Sequence, residues 1–284
     1  MKSFGGIDER YSKYKTASVL LQSIPYDGTT TWGKGSDKAF DAFIEASENM
    51  ELYDIETDTE VYLNGIHTLD PIVENSSPEA VFSAVYSKTR ELLETGKFLT
   101  FFGGEHSVSI GVIKAFYEKH PNLTVLQLDA HADLRKSYLG SKYNHACALH
   151  DASLNTKLIQ VGIRSMDRCE KQYLKSENCF FAQDIYLSHD WIDDSISRMT
   201  DKVYLTIDLD VFDPSIMPAT GTPEPGGLGW DTVIRYLHRV FQQKEVVGFD
   251  IVELAPIGNL KHPNFLTSKL YYKLLSYKSK YNAK

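Results

Sequence analysis

The sequence predicts an α/β protein with a mainly parallel central sheet. Runs rich in Val, Ile, Leu and Phe recur along the chain without strict polar alternation. The segments between them carry helical period, and unusual polar groups gather just after the runs. Unalternated apolar runs suit strands buried on both faces of a parallel sheet, and strand–helix alternation along a whole chain marks that fold class.

The first predicted strand is Ser18–Ile24, followed by helical period over Asp37–Glu48. Between Glu60 and Leu69, Asn64-Gly65 separates two short apolar runs and predicts a hairpin outside the main pattern. The next helix is the best marked. Ser77 can accept from the first free N–H groups, Pro78 suits the first helical position, and Gly96 can close the end with positive φ. Strand Phe98–Phe102, helix Ser107–Lys119 and strands Thr124–Leu128 and Lys157–Ile163 come next. Helices Asp167–Ser176 and Asp190–Met199, strand Val203–Ile207, helix Trp230–Gln242, strand Glu245–Ile251 and helix Asn264–Lys280 complete the series. No internal repeat, low-complexity block or long polar linker interrupts it, so residues 1–284 are read as one domain.

Composition narrows the partners. The 284 residues hold 30 Lys+Arg against 38 Asp+Glu, a formal charge of −8, with 42% hydrophobic and 24% charged residues. These are ordinary values for a soluble globular chain. The acidic balance argues against nucleic acid or an anionic membrane as partner. No run approaches the roughly 18 apolar residues of a membrane span, and MKSFGGIDERYSKYK has no apolar stretch of signal-peptide type. Cys147, Cys169 and Cys179 are an odd count without paired spacing, so the expected setting is a reducing cytoplasm.

Four predicted strand ends carry polar groups: Gly103-Gly104-Glu105-His106-Ser107, Asp129-Ala130-His131-Ala132-Asp133, Asp208-Leu209-Asp210 and Asp250-Ile251-Val252-Glu253. Residues two apart in an extended chain point the same way. Asp129, His131 and Asp133 therefore line one side of one strand end, and Asp208 and Asp210 one side of another. A lone Asp in such a place is most simply a helix cap. Three ionisable groups converging after a buried strand are not, because carboxylates desolvated side by side repel and stay protonated unless cations are bound. Asp129, Asp133, Asp208 and Asp210 match the charge of two divalent metals, and neutral His106 and His131 add one nitrogen each. Such a ligand set suits paired ions of the Mn²⁺ kind better than a thiolate zinc site. Cys147 is read as a buried, inert thiol.

The blocks GGEHS, DAHAD, DLDVFDPSIMPATGTPEPGGL and VGFDIVELAP, in this order, resemble the signature blocks of the arginase–agmatinase ureohydrolase family, from the first strand to Glu253. The resemblance implies a three-layer αβα fold and two Mn²⁺ per chain, hydrolysing guanidino compounds to urea and an amine. It implies His106, Asp129, Asp133 and Asp210 around one metal and Asp129, His131, Asp208 and Asp210 around the other. A hydroxide between them would attack the guanidinium carbon, with Asp133 taking up its proton. His145 matches the family's proton shuttle for the leaving amine, Glu253 the carboxylate that binds the guanidinium, and Thr222 a loop position facing the reaction centre. Glu105 stands where the family more often has Asp, and its extra methylene bears on the placement of His106. A homo-oligomer, trimer or hexamer, is the implied assembly.

The segment from DAHADLR to Tyr143-Asn144-His145-Ala146, the GTPEPGGL loop and VGIRS at Val161–Ser165 resemble the agmatinase branch. The expected substrate is thus a small cationic guanidino compound, agmatine, cleaved to putrescine and urea. Its second cation needs an acceptor away from the metals. Asp167 is the candidate, its other reading being the cap of the following helix. Arg135 favours a substrate bearing a carboxylate and keeps guanidinobutyrate and formimidoylglutamate as alternatives. A catalytically inert relative with a structural or regulatory role is a further reading, against which all six ligand residues, His145 and Glu253 weigh. A metal-dependent deacetylase is the last, disfavoured by the single zinc and different histidine pattern of such enzymes.

Overall fold

A computed structural model of the chain describes residues 3–282. Its strands are β1 (Val19–Ile24), β2 (Ile66–Thr68), β3 (Phe98–Gly103), β4 (Thr124–Leu128), β5 (Lys157–Ile163), β6 (Cys179–Phe181), β7 (Lys202–Asp208) and β8 (Glu245–Val252). They form one sheet in the order β2-β1-β3-β8-β7-β4-β5-β6, every neighbouring pair parallel.

Alternate residues of the strands feed two separate cores, because successive side chains leave opposite faces. Leu21, Phe102, Leu126, Leu205 and Ile251 pack on one face with the helices Ala39–Ser47, Trp191–Ser197, Trp230–Gln243 and His262–Tyr281. Leu20, Phe101, Val125, Leu158 and Tyr204 pack on the other with Pro78–Leu93, Ser109–Lys119 and His150–Asn155. This is the three-layer αβα arrangement. The expected ends of Pro78–Leu93 hold too: Ser77 Oγ accepts from the Ala80 N–H at 3.1 Å, and Gly96 sits at φ 68°.

Two expectations fail. The hairpin across Glu60–Leu69 does not form. Val61–Asn64 is a 3-10 turn closed by the Gly65 N–H on Tyr62 O at 2.9 Å, and β2 then runs parallel to β1 at the sheet edge. Gly65, at φ 81°, turns the chain where a Cβ would come within 2.7 Å of Ala17 Cα, so it serves a close approach and not a two-residue hairpin loop. The helix expected at Asp167–Ser176 is instead the 3-10 stretch Arg168–Gln172, with Ser176–Asn178 a second such turn. β2 and β6, at three residues each, are too short to leave a period in the sequence.

The order of the sheet makes neighbours of β3, β8, β7 and β4, which are far apart in the chain. The polar blocks at their carboxyl ends are thereby gathered in one place, where ligands bind in parallel sheets of this kind.

Candidate active site

The strand ends bring several of the side chains singled out in the sequence close together. The ligand-type atoms of His106, Asp129 and Asp208 lie within 4.8 Å of one another, as do those of Asp129, His131 and Asp210. His106 Nδ1 is 3.1 Å from Oδ2 of both Asp129 and Asp133 and 3.5 Å from Asp208 Oδ2. His131 Nδ1 is 2.8 Å from Asp210 Oδ2 and 3.7 Å from Asp129 Oδ1. Asp129 is thus common to both groups. Asp208 Oδ2 lies beside His106 and Asp210 Oδ2 beside His131, whereas the resemblance implied Asp210 around the first ion and both aspartates around the second. The reason is local. Asp208 ends β7 and its Oδ1 accepts the Asp210 N–H at 2.8 Å, while Asp210 Oδ1 accepts from Ala130 N at 2.9 Å, which swings Asp210 towards the loop of His131.

The loops that carry these groups are tightly built. A Cβ on Gly104 would lie 1.9 Å from Tyr26 O, so only glycine lets the strand end pass beside Tyr26, where the Glu105 N–H donates at 2.8 Å. Asp133 and Glu253 have φ of 54° and 68°, in the left-handed region that costs a non-glycine residue about 1–3 kcal/mol. Glu253 is held there from both sides: its N–H donates to Gly104 O at 2.8 Å, and its Oε1 accepts the His106 N–H at 2.7 Å.

Burial sets the electrostatics. Desolvation, then Asp210 and Asp133, push Asp129 up to about 7. Desolvation and Asp210 hold Asp208 well above the carboxylate range, and desolvation and Glu105 do the same to Glu253. Burial disfavours charge on His106 and His131, yet Asp129 and Asp133 hold His106 high and Asp210 carries His131 to about 10. Asp210, despite desolvation, is drawn down to about 2 by His131. Protons are therefore retained in the cluster at neutral pH, in the place a metal ion would take.

The residues fit such ions. His106 Nε2 is 2.9 Å from Thr206 Oγ1, whose hydroxyl donates to Asp250 Oδ1 at 2.7 Å. With that proton committed, Nε2 must be the donor to Thr206. Nδ1 then faces the carboxylates, buried and without a hydrogen-bond partner. A buried nitrogen aimed at carboxylate oxygens is the arrangement of a metal ligand oriented by its outer partners.

A cavity of about 300 Å³ opens over the cluster, lined among others by Asp133, His145, Thr222, Glu253, Arg135 and Asp167. Asp167 has two roles there. Its Oδ1 accepts the Cys169 N–H at 2.8 Å, as the cap reading required, and its Oδ2 lies 3.4 Å from Arg135 Nη2. Arg135 therefore meets a carboxylate in the cavity wall and also lies over the Tyr138 ring at 4.6 Å. Cys147 is buried outside this lining, its thiol pushed up to about 12 by burial.

A family model described as the arginase family matches residues 17–276. The chain belongs to the arginase family. An N(1)-aminopropylagmatine ureohydrolase of Synechocystis sp. is 38% identical over 280 residues, 95% of this chain and 92% of that one. An agmatinase of Pyrococcus horikoshii is 32% identical over 246 residues, 85% of each chain. The solved structure of the agmatine ureohydrolase of Thermoplasma volcanium matches at TM-score 0.86 and 30% identity, over 95% of this chain and 93% of that one. The chain is an agmatinase-like ureohydrolase, a hydrolase of linear amidine C–N bonds in a family that depends on binuclear metal sites.

Within this arginase-family site, several supports escaped sequence reasoning. Arg164 is a clamp: Nη2 donates to Asp210 O at 2.6 Å and Glu224 O at 2.9 Å, and Nη1 to Gly162 O at 3.1 Å. It ties the end of β7 to the loop carrying Thr222, and VGIRS was its only sequence signal. Glu224 Oε1 lies 3.8 Å from His131 Nε2, on the far side of that ring from the cluster. Asp250 was visible as a polar residue in β8, but its partner Thr206 comes from β7.

Proposed function

We propose that the chain hydrolyses a guanidine with a cationic polyamine-type tail to urea and the free amine, with two Mn²⁺ held by His106, Asp129, His131, Asp133, Asp208 and Asp210. The observation that carries the reading is the convergence of these six side chains beneath one cavity whose wall includes Glu253 and His145. N(1)-aminopropylagmatine is the first substrate proposed, on the 38% identity to the Synechocystis enzyme of that name. Agmatine is the second, on the agmatinase relative and the Thermoplasma structure.

Divalent cations held by these residues would supply a hydroxide nucleophile at neutral pH. Glu253 receives the guanidinium through charge-assisted contacts, and because Oε1 is already held by the His106 N–H, its carboxylate meets the substrate in a set orientation. Asp133 takes up the nucleophile's proton. His145 takes a proton from solvent in the cavity and delivers it to the nitrogen of the leaving amine as the C–N bond breaks, which avoids expelling an amide anion. Asp167 is the proposed contact for the cationic tail, where it exchanges its Arg135 partner for the substrate ammonium.

A substrate panel with manganese present tests this, reading urea or ammonia from N(1)-aminopropylagmatine, agmatine, guanidinobutyrate and formimidoylglutamate. Turnover of either polyamine-type guanidine well above the two acids is expected. Guanidinobutyrate outrunning both would sink the tail assignment, and no release from any compound by the metal-loaded chain would favour an inert relative.

A further inference from the structure

Glu105 is fully buried beside His106, yet its carboxylate takes no part in the metal cluster. It turns to the loop after β1. Its oxygens accept from Thr29 N at 2.7 Å, Thr29 Oγ1 at 2.5 Å, Thr30 N at 2.8 Å, Thr30 Oγ1 at 3.1 Å and Ser107 Oγ at 2.6 Å. Five donors on one carboxylate use its whole accepting capacity. The Thr29 hydroxyl, its hydrogen spent on Glu105, can only accept from its other neighbours. Those neighbours belong to His145: the backbone N–H donates to Thr29 Oγ1 at 3.0 Å, and Nδ1 lies 3.2 Å from the same oxygen.

We propose that Glu105 and Thr29 are positioning residues that fix His145 with its proton on Nδ1, leaving Nε2 as the nitrogen that exchanges protons in the substrate cavity. The logic is one of donors and acceptors. Glu105 accepts from two backbone N–H groups and from the Thr30 and Ser107 hydroxyls, so it meets the Thr29 hydroxyl as an acceptor and sets the direction of that O–H, which in turn requires Nδ1 to be the donor. The glutamate length matters in the same way, since the carboxylate must span from the His106 block to Thr29 and Thr30. This inference rests on the reading of His145 as the proton donor to the leaving amine, and it adds what selects the nitrogen that does so.

The experiment uses ¹⁵N-histidine protein loaded with diamagnetic Mg²⁺, with a His145→Asn spectrum to identify the His145 signals. The wild type is expected to show hydrogen on Nδ1 and none on Nε2. Thr29→Val removes the acceptor and is expected to give a mixed or reversed tautomer, and Thr29→Ser to restore the wild-type pattern. In parallel, urea release with manganese should show kcat of Thr29→Val and Glu105→Gln down by roughly 10- to 100-fold, KM and bound metal staying within about twofold, and Thr29→Ser close to wild type. Hydrogen on Nε2 in the wild type, or an unchanged tautomer and kcat in Thr29→Val, overturns the proposal. If Thr29→Val does not fold, the wild-type and Thr29→Ser spectra decide it. A wild type that shows the expected tautomer but releases no urea from any guanidine overturns the functional reading and leaves the positioning contact standing.

Discussion

Asp133 and Glu253 share an unusual backbone conformation but have different chemical duties, and substitution separates them. Asp133→Asn removes a charged group 3.1 Å from His106 Nδ1, so bound metal and turnover should both fall, measured by metal analysis and urea release. Glu253→Gln keeps an acceptor oxygen for the His106 N–H and loses the charge that meets the guanidinium. Metal content should therefore hold while KM rises. Full metal occupancy and near-normal activity in the Asp133 variant would refute its place in the site. The pKa shifts make a second prediction for metal-free protein. Asp129, at about 7 against its ordinary 3.8, and the raised Asp208 and Glu253 all bind protons more tightly folded than unfolded. So do His131 and His106. Stability from such groups is present at low pH and lost as pH rises through the folded values. The metal-free chain should thus melt at lower temperature at pH 8 than at pH 5. Bound metal should reverse the trend, because it replaces those protons. These residues were legible in the sequence because a period of two in a strand end is a local property. The role of Glu105 was not, because its partners Thr29 and Thr30 lie 76 and 75 positions away.

At the scale of elements, the helix Pro78–Leu93 was the most legible feature, since its start and stop signals lie within the segment itself. Ser77→Ala should cost about 1 kcal/mol of stability in denaturant unfolding, with urea release unchanged, since the cap lies outside the site. The hairpin failed for the opposite reason. Asn64-Gly65 is a local turn signal, but β1 offers the following residues a parallel partner, and the edge of a sheet is invisible in sequence. Strands β7 and β8 meet in the same way. Thr206 and Asp250 stand side by side in register, and together they orient His106 from behind. Thr206→Val should therefore weaken metal binding by about 10- to 100-fold in a chelator competition, as loss of an outer partner commonly does.

Over the whole molecule, the sheet order decides the site, and assembly is the remaining question. No helix among the described residues is long and apolar enough to cross a membrane. Exposed apolar side chains are Trp32, Ile55, Leu187 and Phe265, among others, and the family resemblance leads us to expect a trimer or hexamer. Sedimentation of the metal-loaded chain should show one of these, and a monomer would remove the expectation. By itself the sequence determined the α/β class, most strand positions and the family, and it singled out six ligand-type residues, since periodicity, caps and ordered motif blocks are written in adjacent residues. Only the tertiary structure decided that Asp208 stands with His106, that Arg135 faces Asp167, and that Glu105 serves Thr29 and not the metal cluster. Those outcomes depend on which strand ends become neighbours. That is settled by packing the two cores on either side of the sheet, and no stretch of chain records it alone.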